Sequence, residues 1–241
     1  MNYLPAFGII ALAALIHASF QLSISLVTVL SGHTIGRKAR AKRLLQLTGS
    51  FLLGTVTMTA LCVSFLATLA SQLFGSKPPS LVWSAATGLM MGLGLAVWAF
   101  YYRHKKPGTS LWLPRGMAHF LVERTKATTA SAESFSLGAT SVLAEGIFVI
   151  GPASAAALAL VSLPAPWQLA GIGVYTLVAS AGIGTVVALI GSGHSLANLQ
   201  KWREHNKRFL QFAAGSALLI LGFYMYVNEV ITPAVLSQGG M

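Results

Sequence analysis

Residues 146–200, GIFVIGPASAAALALVSLPAPWQLAGIGVYTLVASAGIGTVVALIGSGHSLANLQ, run for 55 residues without an Asp, Glu, Lys or Arg. A bilayer core of about 30 Å takes about 20 helical residues, so this stretch holds more than one span. Pro164, Pro166 and Trp167 mark the turn between them. Similar charge-free runs occupy residues 2–36, 44–76, 78–102 and 209–228. Together they predict six transmembrane helices at about 5–31, 44–74, 80–102, 133–162, 167–191 and 209–231. The first run lacks a cationic leader and is too long for a signal-peptide core, so it reads as a retained span. Barrel strands would alternate in segments of about ten residues, and no such alternation occurs. The expected fold class is all-α integral membrane.

Composition agrees with this class. The chain of 241 residues is 55% apolar and only 9% charged, with mean hydropathy +0.71, whereas soluble domains carry roughly 25% charged residues. The net charge of +11 would suggest nucleic acid in a soluble chain, but its placement decides otherwise. Arg37, Lys38, Arg40, Lys42 and Arg43 fall between the first two predicted helices. Arg103, Lys105, Lys106, Arg115, Arg124 and Lys126 fall between the third and fourth, and Lys201, Arg203, Lys207 and Arg208 between the last two. Only Lys77 is left for the other face. By the positive-inside rule the basic face is cytoplasmic and both termini are outside, as expected in the cytoplasmic (inner) membrane of a prokaryote. Expected partners are the bilayer, with anionic lipid at the basic loops, a small solute, and a second copy of the chain as a homodimer; nucleic acid is not one. Residues 111–126 and 196–208 mix Trp, Phe and Leu with basic residues and read as helices lying on the membrane surface.

Sliding the chain by 128 residues aligns all three helix pairs without a gap. Phe7, Ala11, Leu15 and Phe20 meet Phe135, Ala139, Leu143 and Phe148; Gly54, Thr57, Ala60 and Leu61 meet Gly182, Thr185, Ala188 and Leu189; Ala85, Ala86, Leu93 and Gly94 meet Ala213, Ala214, Leu221 and Gly222. The chain therefore reads as a single membrane domain, with one repeat at about 5–102, a cytoplasmic linker at about 103–132 and a second repeat at about 133–231. An odd number of helices per half turns the second half over, giving the inverted repeats common in secondary transporters. Gly88 and Gly92 form a GxxxG, and Gly182, Gly184 and Ala188 line the fifth helix, where small residues let helices approach closely.

Ionisable residues inside spans are few. His17 lies near the middle of the first predicted helix and Glu145 near the middle of the fourth, and the same 128-residue offset relates them. Such a residue at the bilayer centre costs at least about 2.5 kcal/mol unless it meets a partner or a wet cavity. Ala14, His17, Gln21, Ser25 and Thr28 follow helical spacing, as do Gly138, Ser141, Glu145 and Pro152. Pro152 withholds a backbone donor from Phe148, so an opened backbone near Gly151-Pro152 could bind a cation; a plain proline kink is the structural alternative. The candidate binding residues are thus His17, Gln21, Ser25, Ser141, Glu145, Gly151 and Pro152. An imidazole and a carboxylate suit a hard or borderline divalent cation, and the same pair can carry a proton for coupling. The rival reading is a structural His17–Glu145 hydrogen bond in a non-transporting scaffold or accessory subunit. No resident cofactor is expected, a divalent cation entering only as cargo. Cys62 stands alone, and Glu133 and Glu229 read as solvated helix ends. No Walker A, HExxH, GxSxG or CxxC pattern occurs, so an enzyme is not expected.

The plan resembles the lysine-exporter (LysE) superfamily, which also holds the DsbD/CcdA electron carriers and manganese exporters. The segments that carry the resemblance are Leu15-Ile16-His17-Ala18-Ser19-Phe20 and Ala139-Thr140-Ser141-Val142-Leu143-Ala144-Glu145, similar to manganese-exporter segments that place an acidic residue at both points. Here His17 stands at the first. The electron carriers use a cysteine in each of these helices, chemistry that Cys62 alone does not supply. The amino-acid exporters commonly have Gly-Pro in the first helix, whereas this chain has Gly151-Pro152 in the fourth. The resemblance implies a small-solute exporter.

Overall fold

The computed structural model describes residues 3–19, 38–101, 115–192 and 205–238, and all regular structure among them is helical. The elements are α1 (Leu4–Ser19), α2 (Lys38–Phe74), α3 (Ser80–Ala96), α4 (Arg115–Ala127), α5 (Ser131–Ala144), α6 (Gly146–Val161), α7 (Ala165–Gly191), α8 (Lys207–Met225) and α9 (Thr232–Gln238). Two stretches of wider π-helical winding, Val97–Tyr101 and Tyr226–Ile231, continue α3 and α8.

Among the described residues, four helices are long and apolar enough to cross a membrane: Lys42–Phe74, Ser80–Ala99, Ala165–Gly191 and Arg208–Val235. A fifth span results if Ser131–Ala144 and Val149–Val161 are taken together, although they are bent by 87°. The single helix expected at 133–162 is therefore two helices. The break falls at Glu145, while Pro152 lies inside the continuous α6. α1 has 16 described residues, and the rest of the first predicted helix, with Gln21, Ser25 and Thr28, lies outside the described residues, as does most of the surface stretch 196–208.

Helix ends are set by local chemistry. Gly75, at φ 68°, closes α2 in a left-handed conformation that glycine adopts without a Cβ clash. Pro79 and Pro164 hold the extended backbone from which α3 and α7 start, and Pro166 sits in the first turn of α7. Glu133 takes the N–H groups of Thr129 and Ala130 at the start of α5, the cap expected of it. Glu229 is half-buried within the second wide stretch rather than at a solvated end.

α6 is the hub. Its Ala153, Ala155, Ala156, Ala157 and Ala159 are buried, and α1, α2, α3 and α7 all pack around it. A helix apolar on every side belongs at the centre of a bundle, and alanines let four neighbours come close. Leu53, Leu61, Phe65, Leu73, Leu169 and Leu177 point outward instead, as bilayer contact requires.

The closest backbone crossing joins α2 to α5. A Cβ on Gly54 would run into the Phe135 carbonyl, and one on Gly138 into the Phe51 carbonyl. Ser134 Oγ donates to the Leu47 carbonyl at 2.7 Å across the same seam. Gly94, Gly215 and Gly222 do the equivalent work between α3 and α8. Gly88, Gly92 and Gly184 have open space where a Cβ would be, which corrects the expectation that they make the tight contacts. Gly88 and Gly92 lie on the exposed face of α3, so the GxxxG spacing meets no helix among the described residues.

Contacts fix which ends lie together. Leu45 packs on Gly191, and Arg43 Nη2 donates to the Thr129 carbonyl at 3.2 Å. The start of α2, the α4–α5 junction and the end of α7 therefore share one end of the bundle, bringing Lys42, Arg43, Arg124 and Lys126 together there. Trp167, by contrast, lies against Tyr3 and Phe7 with ring centroids at 5.8 and 6.0 Å, so α1 and α7 start at the opposite end. On α4, Leu121 and Thr125 are buried while Phe120, Glu123, Arg124 and Lys126 are exposed, the amphipathic pattern expected of it.

Candidate functional site

His17 belongs to the buried face of α1, with Ile9, Ile10, Ala13, Ala14 and Ile16, and is 1% exposed. Ala14 and His17 thus face inward as their spacing predicts. His17 Nδ1 lies 3.0 Å from the Tyr175 hydroxyl on α7, with the ring centroids 5.7 Å apart. Which of the two donates follows from the imidazole tautomer. His17 Nε2 is buried and has no hydrogen-bond partner among the described residues.

Glu145 stands at the break between α5 and α6 and is also 1% exposed. Its N–H donates to the Ser141 carbonyl at 3.0 Å, closing α5, and its carbonyl accepts the Val149 N–H at 3.2 Å, opening α6. The C-terminal carbonyls of α5 and the N-terminal N–H groups of α6 therefore meet at this residue. Their dipoles favour a cation on one side and an anion on the other.

The register between helices relates the two residues. α2 and α5 run parallel, with Gly54 against Phe135–Ala139 and Gly138 against Phe51–Thr55. Continued along both helices at about 1.5 Å per residue, that register brings Glu145 level with Cys62. Cys62 is half-buried with a free thiol, and the antiparallel contact of Leu45 with Gly191, continued along α2 and α7, sets it level with Tyr175, the partner of His17. His17, Tyr175, Cys62 and Glu145 thus occupy one level on neighbouring segments. The hydrogen bond given to His17 is with Tyr175, however, and not with Glu145.

The other expected residues divide. Ser141 is buried, but its hydroxyl is already engaged, donating to the Gly138 carbonyl at 2.7 Å. Gly151 and Pro152 are buried within α6, where a Cβ on Gly151 would meet the Met90 methyl at 2.6 Å. The opened backbone expected beside them lies instead at Glu145–Gly146. Pro152 still withholds its donor from the Phe148 carbonyl. Gln21 and Ser25 fall outside the described residues. Among the described residues no three His, Cys, Asp or Glu side chains cluster as a metal set. A cation here would join His17 and Glu145 to carbonyl and hydroxyl oxygens.

Tyr175 is the residue that sequence reasoning missed. The signal was present: Tyr is usual at membrane interfaces, and Tyr175 stands in mid-run within residues 146–200. A cleft of about 450 Å³ opens elsewhere, at the base of α5, lined by Phe120, Arg124, Thr128, Glu133, Ser136 and Thr140 among others. It includes none of the candidate residues. No family model, known protein or solved structure matches the chain.

Proposed function

We propose that this chain is a secondary exporter of the cytoplasmic membrane that carries a small solute, in first place a cation, by alternating access around His17 and Glu145. The observation that carries the reading is a carboxyl group, 1% exposed, at an 87° break between two apolar half-helices. A buried ionisable residue in a span is costly enough to need a function. Broken helices near the midplane are where secondary transporters bind substrate and coupling ions.

Six spans in two inverted halves fit the same reading. Winding of the π type makes up well under 1% of residues, yet it occurs twice among the described residues, and the 128-residue offset carries Val97–Tyr101 onto a range overlapping Tyr226–Ile231. The offset also relates Gly94 to Gly222, both at close contacts between α3 and α8. Pairing of α2 with α7 and of α3 with α8 is what a two-fold axis between the halves requires. The gathering of Lys42, Arg43, Arg124 and Lys126 at one end supports a cytoplasmic basic face with both termini outside. Membership of the lysine-exporter superfamily is part of this proposal, as is a prokaryotic inner membrane.

The rival, a non-transporting scaffold, draws on one observation: His17 already has a structural partner in Tyr175. Thermal unfolding of the detergent-purified protein separates the two, screened against divalent cations and basic amino acids. Cargo at about 100 times its dissociation constant stabilises by about 2.7 kcal/mol. A rise in midpoint that is lost in His17→Ala and Glu145→Gln is expected. A wild-type midpoint that no cation or amino acid moves favours the scaffold.

A further inference from the structure

Serine and threonine in a buried helix ordinarily bond back to the carbonyl one turn earlier, and here Thr48, Thr55, Thr68 and Thr185 all do so. Thr59 on α2, and Thr176 and Ser180 on α7, do not. All three are buried, and their hydroxyl oxygens have no partner among the described residues. Thr87 behaves likewise but sits on α3, away from this seam.

The three hydroxyls share one height and, by helical spacing, the sides of α2 and α7 that carry Leu45 and Gly191. α2 and α7 pack against each other antiparallel, Leu45 meeting Gly191 at the basic end. At about 1.5 Å per residue along both helices, that contact fixes the register further in. It sets Thr59 between Thr176 and Ser180 in height, on the side of the His17–Tyr175 pair that faces the basic end. The buried His17, with its unpartnered Nε2, lies at the level of Tyr175, next in height beyond Thr176.

A buried hydroxyl left unbonded costs free energy, more so in lipid, where nothing else can satisfy it. Three such groups in a row, with a buried imidazole nitrogen beyond them, call for a polar ligand with several bonds to offer. These groups carry no charge, which suits water rather than a bare ion, and a buried water typically makes two to four hydrogen bonds. We infer that a file of water molecules runs between α2 and α7, bonded to Thr59, Thr176 and Ser180, and joins the basic end of the bundle to His17. Its use as the inward half of a transport route rests on the function proposed above; its existence does not.

Cysteine accessibility tests it. In a Cys62→Ala background of the full chain, Ser180→Cys and Thr176→Cys are compared with Ala179→Cys, a fully buried neighbour on the same helix. 2-Aminoethyl methanethiosulfonate is applied to right-side-out or inside-out vesicles, with a thiol scavenger on the far side, and modification is followed by mass. Solvated thiols ionise and react while apolar ones stay inert, so both test cysteines should react about tenfold or more faster than Ala179→Cys, and from the basic face. Gel filtration confirms that each variant is folded, and either test cysteine suffices if the other misfolds. Equal rates at 179 and at the test positions, or faster reaction from the opposite face, overturn the file. Reactive cysteines with an active His17→Ala protein would keep the file and remove the site. Inert cysteines with an inactive His17→Ala protein would do the reverse.

Discussion

Gly138→Ala probes the seam on which the level of Glu145 depends. Its new Cβ would meet the Phe51 carbonyl, part of a helix backbone that cannot swing aside as a flexible side chain can. α2 and α5 must therefore separate. Overpacking of this kind costs about 1–3 kcal/mol. Separation also weakens two hydrogen bonds across the seam, Ser134 Oγ to the Leu47 carbonyl at 2.7 Å and Thr55 Oγ1 to the Gly138 carbonyl at 3.4 Å. Interhelical bonds in membranes average about 0.6 kcal/mol each. Alanine recovers up to about 1 kcal/mol as the better helix former, which leaves a net loss of about 1–3 kcal/mol.

Gly54→Ala strikes the same crossing from the other helix, so the two changes share one penalty. Once the first has parted the helices, the second costs little, and the double variant should be less destabilised than the sum by about 1 kcal/mol or more. Unfolding in mixed micelles at rising SDS fraction, followed by circular dichroism, measures all three variants. Gly92→Ala is the control: it faces open space and should be neutral or slightly stabilising. Additive losses from Gly54→Ala and Gly138→Ala, or an equal loss from Gly92→Ala, would refute the crossing and the register built on it.

Tyr175→Phe removes the hydroxyl bonded to His17 Nδ1 and should cost about 0.6–1.7 kcal/mol in the same titration, with a change in the ring 15N shifts of His17; unaltered stability and shifts would contradict the bond. Cysteines placed at Lys77 and Lys126 should react with an impermeant maleimide from opposite faces of the cell membrane, Lys126→Cys from inside only. Labelling of both from one face would contradict the orientation.

The helices were legible because unbroken apolar runs leave few alternatives in lipid: the observed starts of α3, α7 and α8 lie within two residues of the sequence reading, while α2 begins six residues earlier, at Lys38. The break was not. Pro152 drew attention as the obvious disruptor, yet losing one hydrogen bond leaves α6 continuous. Gly146, a poor helix former, adjoins Glu145 where the chain turns. Tight packing was misplaced for a different reason. A GxxxG search sees spacing along one helix, whereas the real crossing takes one glycine from each of two helices, Gly54 and Gly138, and leaves Gly88 and Gly92 facing outward. His17 and Glu145 stood out because ionisable groups are rare in spans. Tyr175 and the unpartnered hydroxyls of Thr59, Thr176 and Ser180 did not, since their significance lies in the bonds they make or lack.

The central claim is transport through His17 and Glu145, and flux tests it most directly. Purified protein in liposomes, loaded with a metal-sensitive dye and challenged with a divalent cation gradient, should show uptake well above empty liposomes. His17→Ala and Glu145→Gln, incorporated at equal density and folded, should fall to the empty-liposome rate. Transport by both variants at the wild-type rate would contradict the site.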